Sequence, residues 1–183
     1  TFCDEGTGMF RELYNSILEG AFCMNKQKIY DFLHSQNIPF EITEHKAVYN
    51  MAELAEIPLP HPEADAKNLF IRDDKRRSYY LLTVFGEKRV DLKAFRREHG
   101  MRPLTFASAE DLEALLGLYP GAVTPLGLLN DAACRVKLFI DRDLADGLVG
   151  VHPNDNTATI WLRTADLIRI VREHGNEVEL AEF

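Results

Sequence analysis

Two apolar runs separated by a charged turn constrain this chain most. "NLFIRD" (68–73) and "SYYLLTVF" (78–85) each have the length and residue types of a strand, and Asp73-Asp74-Lys75 sits in the turn between them. The pair is predicted to fold as an antiparallel hairpin. Leu69, Phe70 and Ile71 read as the buried middle of the first strand, with Lys67 at its mouth. A lysine entering a core strand must either reach solvent along its alkyl stem or meet an anion.

Further elements surround the hairpin. Ile29, Phe32 and Leu33 form an apolar helix face over 26–36, closed by Asn37-Ile38-Pro39. "FEITEH" (40–45) alternates like a half-buried strand. Asn50 and Glu53 have capping-box spacing ahead of a short helix that stops at Pro58, and Pro58, Pro60 and Pro62 stiffen the loop to Lys67. "DLKAFRREHG" reads as a helix closed by Gly100, and Ser108 with Asp111 caps a helix over 109–116 that ends before Gly117. "RVKLFID" (135–141) and "TATIWL" (157–162) are strands, Thr164 caps a last helix to His174, and "EVEL" (177–180) is a final strand. Helices and strands interleave without strict βαβ rhythm, which predicts a mixed sheet with flanking helices.

The chain has 183 residues, 46% of them hydrophobic and 27% charged, as expected of one globular domain. Residues 1–23 carry their own helical spacing, from Met9 to Phe22, and read as an N-terminal extension or an appended remnant, with the domain running over 24–183. No apolar run approaches the roughly 20 residues of a membrane span. Cys3, Cys23 and Cys134 are odd in number and far apart, which suggests reduced thiols. With no basic leader ahead of an apolar stretch, a cytoplasmic location is expected.

Charge narrows the function classes. A net charge of −8 argues against non-specific coating of nucleic acid. Between Lys67 and Arg102, however, eleven Lys or Arg stand against five Asp or Glu, a balance of +6, so the remainder carries −14. Such a segment either touches a polyanion locally or is a solvated face.

Three other places could carry chemistry. In "YPGAVTPLGLLND" (119–131), glycines would let backbone N–H groups approach a ligand oxygen, or they make a tight turn. In "VHPNDNTAT" (151–159), His152 precedes a run of small polar groups and is either a site residue or a hydrogen-bonded structural histidine. His45, at the end of its strand, is the third. No nucleophile–base pair is legible, Cys134 reads as a buried thiol, and the six histidines lack metal-ligand spacing. An enzyme built on these residues would act by positioning and electrostatics.

"KNLFIRD", "GAVTPLGLLND" and "HPNDNTAT" together resemble, in order and spacing, the aminoacyl-tRNA deacylases of the YbaK type, relatives of the prolyl-tRNA synthetase editing domain. The likeness runs from about Met24 to the C-terminus and is nearest to the prolyl-tRNA editing (ProX) branch, which removes alanine mischarged onto proline tRNA. The resemblance implies an α/β (α+β) fold, a mixed, nearly closed sheet or barrel surrounded by helices, with no metal or organic cofactor. It makes Lys67 the essential lysine and Gly127 a catalytic backbone donor. Asn68, Gly121, Thr124, Pro125, Leu128, His152 and His45 then belong to the substrate pocket. Lys88, Arg89 and Arg102 would face the tRNA acceptor end. The anion met by Lys67 would be a terminal phosphate or the oxyanion of the scissile ester.

The expected partners are mischarged tRNA(Pro) and prolyl-tRNA synthetase, with no membrane and no specific DNA. The rival readings are a deacylase of another small residue such as cysteine or serine, a hydrolase of a different small ester, and a non-catalytic nucleic-acid-binding module.

Overall fold

The computed structural model describes residues 23–50, 52–53, 56–86 and 88–183. The helix read over residues 9–22 lies outside them, as do Met51, Leu54 and Ala55 of the short helix after Asn50. The cap of that helix is present: Asn50 Oδ1 accepts from the Glu53 N–H at 3.0 Å, and Glu53 Oε2 accepts from the Tyr49 N–H at 2.9 Å.

The chain runs through α1 (Lys26–Ser35), β1 (Phe40–Glu44), β2 (Ala66–Asp73), β3 (Tyr79–Phe85), α2 (Leu92–Glu98), β4 (Leu104–Phe106), α3 (Ala109–Leu116), β5 (Val136–Asp141), β6 (Leu148–Val151), β7 (Ala158–Arg163), α4 (Thr164–His174) and β8 (Val178–Ala181). Among the described residues the strands form two sheets, ordered β4-β2-β3-β5-β8 and β1-β7-β6. The larger is mixed, since β3 pairs antiparallel with β2 but parallel with β5, and β5 runs parallel to β8. The barrel expected from resemblance is therefore not closed. A parallel bridge between Asp65 and Gly150 is where β2 and β6 come together.

Local signals explain several boundaries. Ser108 and Asp111 form the reciprocal capping box of α3, and Gly117 ends it at φ +61°, a conformation that penalises a Cβ. The hairpin is stitched by Asp73, whose carboxylate accepts from the Lys75 and Arg77 N–H groups. Other readings need correction. Thr164 does not cap α4: it is the first helical residue, its N–H donates to Gly147 O, and its buried hydroxyl has no hydrogen-bond partner. Strand β1 does not alternate cleanly. Phe40 is covered by Tyr30 and His34 of α1, whereas Ile42, on the same face, stays 45% exposed.

The larger sheet is buried on both faces, which is why its central strands read as apolar runs. One face carries Phe70, Leu81, Leu138 and Ile140 into the main core with α1, α3, α4 and the smaller sheet. The other carries Ile71, Leu82, Val84 and Phe139 against Phe95 of α2. In a strand successive side chains face opposite ways. Lys67, the cross-strand partner of Val84, therefore emerges on the second face, and Asn68, the partner of Thr83, on the first.

Candidate active site

Strand β2 pairs with β3 along its length, but β4 covers its other edge only at Ile71–Asp73. Phe70 O still accepts from Ala107 N–H. Upstream, the edge at Lys67–Leu69 is open and faces a cleft of about 260 Å³. Its other walls are Gly150–His152 of β6 and the residue beyond it, Gly121 and Val123 of the glycine loop, and Val48–Asn50. Lys67, Asn68, Gly121 and His152, which the sequence analysis singled out, thus meet in one place.

Their polar states are specific. Lys67 is partly buried and has no carboxylate within 4.0 Å among the described residues. Asn68 accepts from Thr83 Oγ1 through Oδ1 at 2.8 Å, which leaves its amide N–H groups to donate. His152 Nδ1 is 2.8 Å from Ala158 O; a carbonyl only accepts, so Nδ1 carries the proton and Nε2 is a bare acceptor in the neutral ring. Burial pushes the His152 pKa down, and the nearby His45 adds to the effect, so the ring is neutral near pH 7. His45 stands outside the wall, 6.0 Å from His152 between ring centres. Both its nitrogens are engaged, Nδ1 by Lys46 O and Nε2 by Thr159 Oγ1.

The rest of the glycine loop lies deeper. Thr124, Pro125, Gly127 and Leu128 are buried, the last three within a 3-10 turn over Pro125–Asn130. Gly127 gives its N–H to Thr124 O, and a Cβ there would lie 2.5 Å from Leu118 Cδ1. The structure therefore does not bring Gly127 to the cleft as a donor; its lack of a side chain serves packing. Thr124 anchors the loop to the histidine segment by donating to His152 O at 2.7 Å. Of the loop, Gly121 and Val123 line the cleft, and their N–H groups have no hydrogen-bond partner among the described residues. Gly121 adopts φ +93°, and a Cβ on it would come 2.9 Å from the Tyr49 ring, so both conformation and space select glycine.

The basic residues divide. Lys88 binds Asp141 and Asp143, each at 2.8 Å, and Arg102 grips Asp74 through Nε at 2.8 Å. Arg89 is exposed with no ion pair among the described residues. Sequence reasoning missed Asp65 and Val123. Asp65 had a signal: it lies two residues before Lys67 in extended chain, hence on the same side. Val123 had none, because loop amides show no side-chain signature. Among the described residues no group of three or more His, Cys, Asp or Glu is placed to hold a metal ion, and no helix is long and apolar enough to cross a membrane.

One small cleft thus brings together a lysine without a counter-ion among the described residues, two loop N–H groups without partners there, and a neutral imidazole. Residues 45–170 match the family model of the aminoacyl-tRNA editing domain, well over half the chain. The chain therefore belongs to the aminoacyl-tRNA editing domain family, and it is an aminoacyl-tRNA hydrolase. It is 37% identical over 159 residues to the prolyl-tRNA editing protein ProX of Acetoanaerobium sticklandii, covering 86% of this chain and 97% of that one. It is 32% identical over 165 residues to the prolyl-tRNA synthetase associated domain-containing protein 1 of Danio rerio, covering 86% and 87%. A crystal structure described as a candidate trans-editing enzyme for prolyl-tRNA synthetase shares the fold, with TM-score 0.58 at 22% identity, over 78% of this chain and 85% of that one.

Proposed function

We propose that this hydrolase cleaves the ester of a small amino acid mischarged onto tRNA(Pro), alanine foremost. The observation that carries the reading is the Lys67 ammonium, partly buried and without a counter-ion among the described residues, in a cleft also lined by Gly121 and Val123. The ProX relative, at 37% identity, supports tRNA(Pro) as the carrier. An aminoacyl ester is already activated, so the protein need only hold it, stabilise the tetrahedral oxygen and admit a water. Water attacks the carbonyl carbon, and the oxygen that becomes negative is met by Lys67 Nζ and the loop amides. The ribose oxygen leaves with a proton, which the adjacent ribose hydroxyl can relay from the attacking water. His152 stands in this account as a wall of the acyl pocket. Arg89, exposed and without an ion pair among the described residues, receives acceptor-stem phosphate, and prolyl-tRNA synthetase is the enzyme whose error is removed.

The test is a panel of tRNA(Pro) carrying alanine, serine, cysteine or proline, hydrolysed by the wild type and by Lys67→Ala. Alanyl ester is expected to go fastest and prolyl ester to survive. Lys67→Ala is expected to lose ~10²–10³ in rate, as for removal of one oxyanion donor, with an unchanged melting temperature. Near-normal turnover by a folded Lys67→Ala protein sinks the reading.

A further inference from the structure

Lys67 is not the only charge in the cleft without a counter-ion among the described residues. Asp65 lines the same wall in extended conformation (φ −66°, ψ 134°), two residues before Lys67 and on the same side of the chain. Its backbone is fixed at both faces: Gly86 N–H donates to Asp65 O at 3.0 Å, and the bridge to Gly150 ties it to β6. Its carboxylate interacts with the Ala66 N–H, and no cationic side chain lies within 4.0 Å of it among the described residues. Burial pushes its pKa above the ordinary carboxylate range, the expected response of an acid withdrawn from water with no cation beside it. A carboxylate held this way costs stability, and the Ala66 N–H offsets that cost only in part.

We infer that Asp65 binds the α-ammonium group of the aminoacyl ester, working as the negative pole of a two-charge clamp whose positive pole is Lys67. This rests on the deacylase reading and specifies its substrate recognition. An aminoacyl ester carries its ammonium one carbon from the reacting carbonyl, about 2.5 Å between nitrogen and carbonyl carbon by standard geometry. Any site that meets both the oxyanion and the ammonium must therefore present a cation and an anion side by side. Alternate residues of a strand, about 6.6 Å apart, do so on one face, leaving room for one hydrogen bond at each end. The competing acceptor is His152 Nε2, across the cleft, and the experiment separates the two.

The measurement compares alanyl-tRNA(Pro) with lactyl-tRNA(Pro), in which nitrous acid has replaced the α-amino group by hydroxyl, for the wild type and for Asp65→Asn. Asparagine keeps the shape and removes the charge. The expected result is a ~10- to 100-fold loss of kcat/KM on alanyl ester, the size of one charge-assisted hydrogen bond, with lactyl ester changed by less than ~3-fold. The alanyl-to-lactyl preference of the variant therefore collapses. Equal losses on both esters would make Asp65 a structural residue, and no loss on alanyl ester would leave the ammonium to His152; either overturns the assignment. Should the wild type hydrolyse alanyl ester no faster than Lys67→Ala, the deacylase reading itself fails and the clamp falls with it.

Discussion

Lys67 and Lys88 flank the same strand, β3, and have opposite fates. Lys67 enters from β2 beside Val84 and has no counter-ion among the described residues. Lys88 follows the end of β3 and closes on two carboxylates, Asp143 and the fully buried Asp141, which also accepts from the Phe85 N–H. Burial works against the charge of Lys88, but the hydrogen bonds to Asp141 and Asp143 outweigh it and hold its pKa above the ordinary lysine value. A folded protein without a ligand satisfies the charges that build it. Those left unsatisfied in a cleft are held for something that arrives later. The sequence stretch is equally basic at both lysines, so charge counting could not separate them.

Exchanging the two truncations tests this most severely. Lys67→Ala is expected to lose most of the deacylation rate at nearly constant stability. Lys88→Met should do the reverse, because it leaves Asp141 buried without a cation. A loss of about 3 kcal/mol is expected for breaking such a pair, seen as a melting temperature lower by roughly 10 °C, with the rate per folded molecule retained. If Lys88→Met were inactive but fully stable, the distinction between occupied and open charges would collapse.

The histidines give a smaller contrast of the same kind. His45 has both nitrogens engaged; His152 lines the cleft, and its Nε2 has no hydrogen-bond partner among the described residues. An enzyme that removes alanine and spares proline on one tRNA cannot select by attraction, since alanine has fewer atoms. One methylene is worth only ~1–3 kcal/mol in any case. Exclusion by a wall remains, and His152, held by Ala158 O and by its own carbonyl to Thr124, is rigid enough to be that wall. In His152→Ala the ratio of prolyl to alanyl hydrolysis is expected to rise about tenfold or more. Loss of all activity with selectivity retained would make His152 a catalytic group instead.

Much of the fold was legible because its signals are local. The hairpin turn, the Ser108–Asp111 box and the Gly117 stop are fixed by neighbours within four residues. What failed depended on distant chain. Thr164 has a cap residue's identity, but β7 runs directly into α4 and the extended cap position falls on Arg163, whose side chain makes no cap bond. Ile42 matches an inward position, but α1 covers only the Phe40 end of β1. Of the site, the side chains Lys67, Asn68 and His152 were readable through their motifs. Which glycine lines the cleft was not, because Gly121 and Gly127 look alike in sequence and are distinguished by what folds around them: Thr124 O and Leu118 close over Gly127, whereas Gly121 stands against Tyr49 at positive φ.

The arginines carry the smallest expected effect and the finest test. Arg102 was expected to face the acceptor stem, but Asp74 holds it through two hydrogen bonds, at 2.8 and 3.1 Å. Asp74 follows the far end of β2, seven residues past Lys67 and so on the order of 20 Å from the cleft. To bind phosphate there, Arg102 would first have to leave a bidentate partner. Arg89 has no such debt, and its loop begins at Gly86, whose N–H rests on Asp65 O in the cleft wall. Each lost phosphate contact lowers the slope of log affinity against log salt by roughly 0.7–0.9. Arg89→Ala is therefore expected to lower the slope by that amount, and Arg102→Ala to leave both slope and affinity unchanged. The opposite pattern would show that the stem lies along β2 toward the hairpin turn, and that an ion pair in the free protein is no guide to which cations nucleic acid recruits.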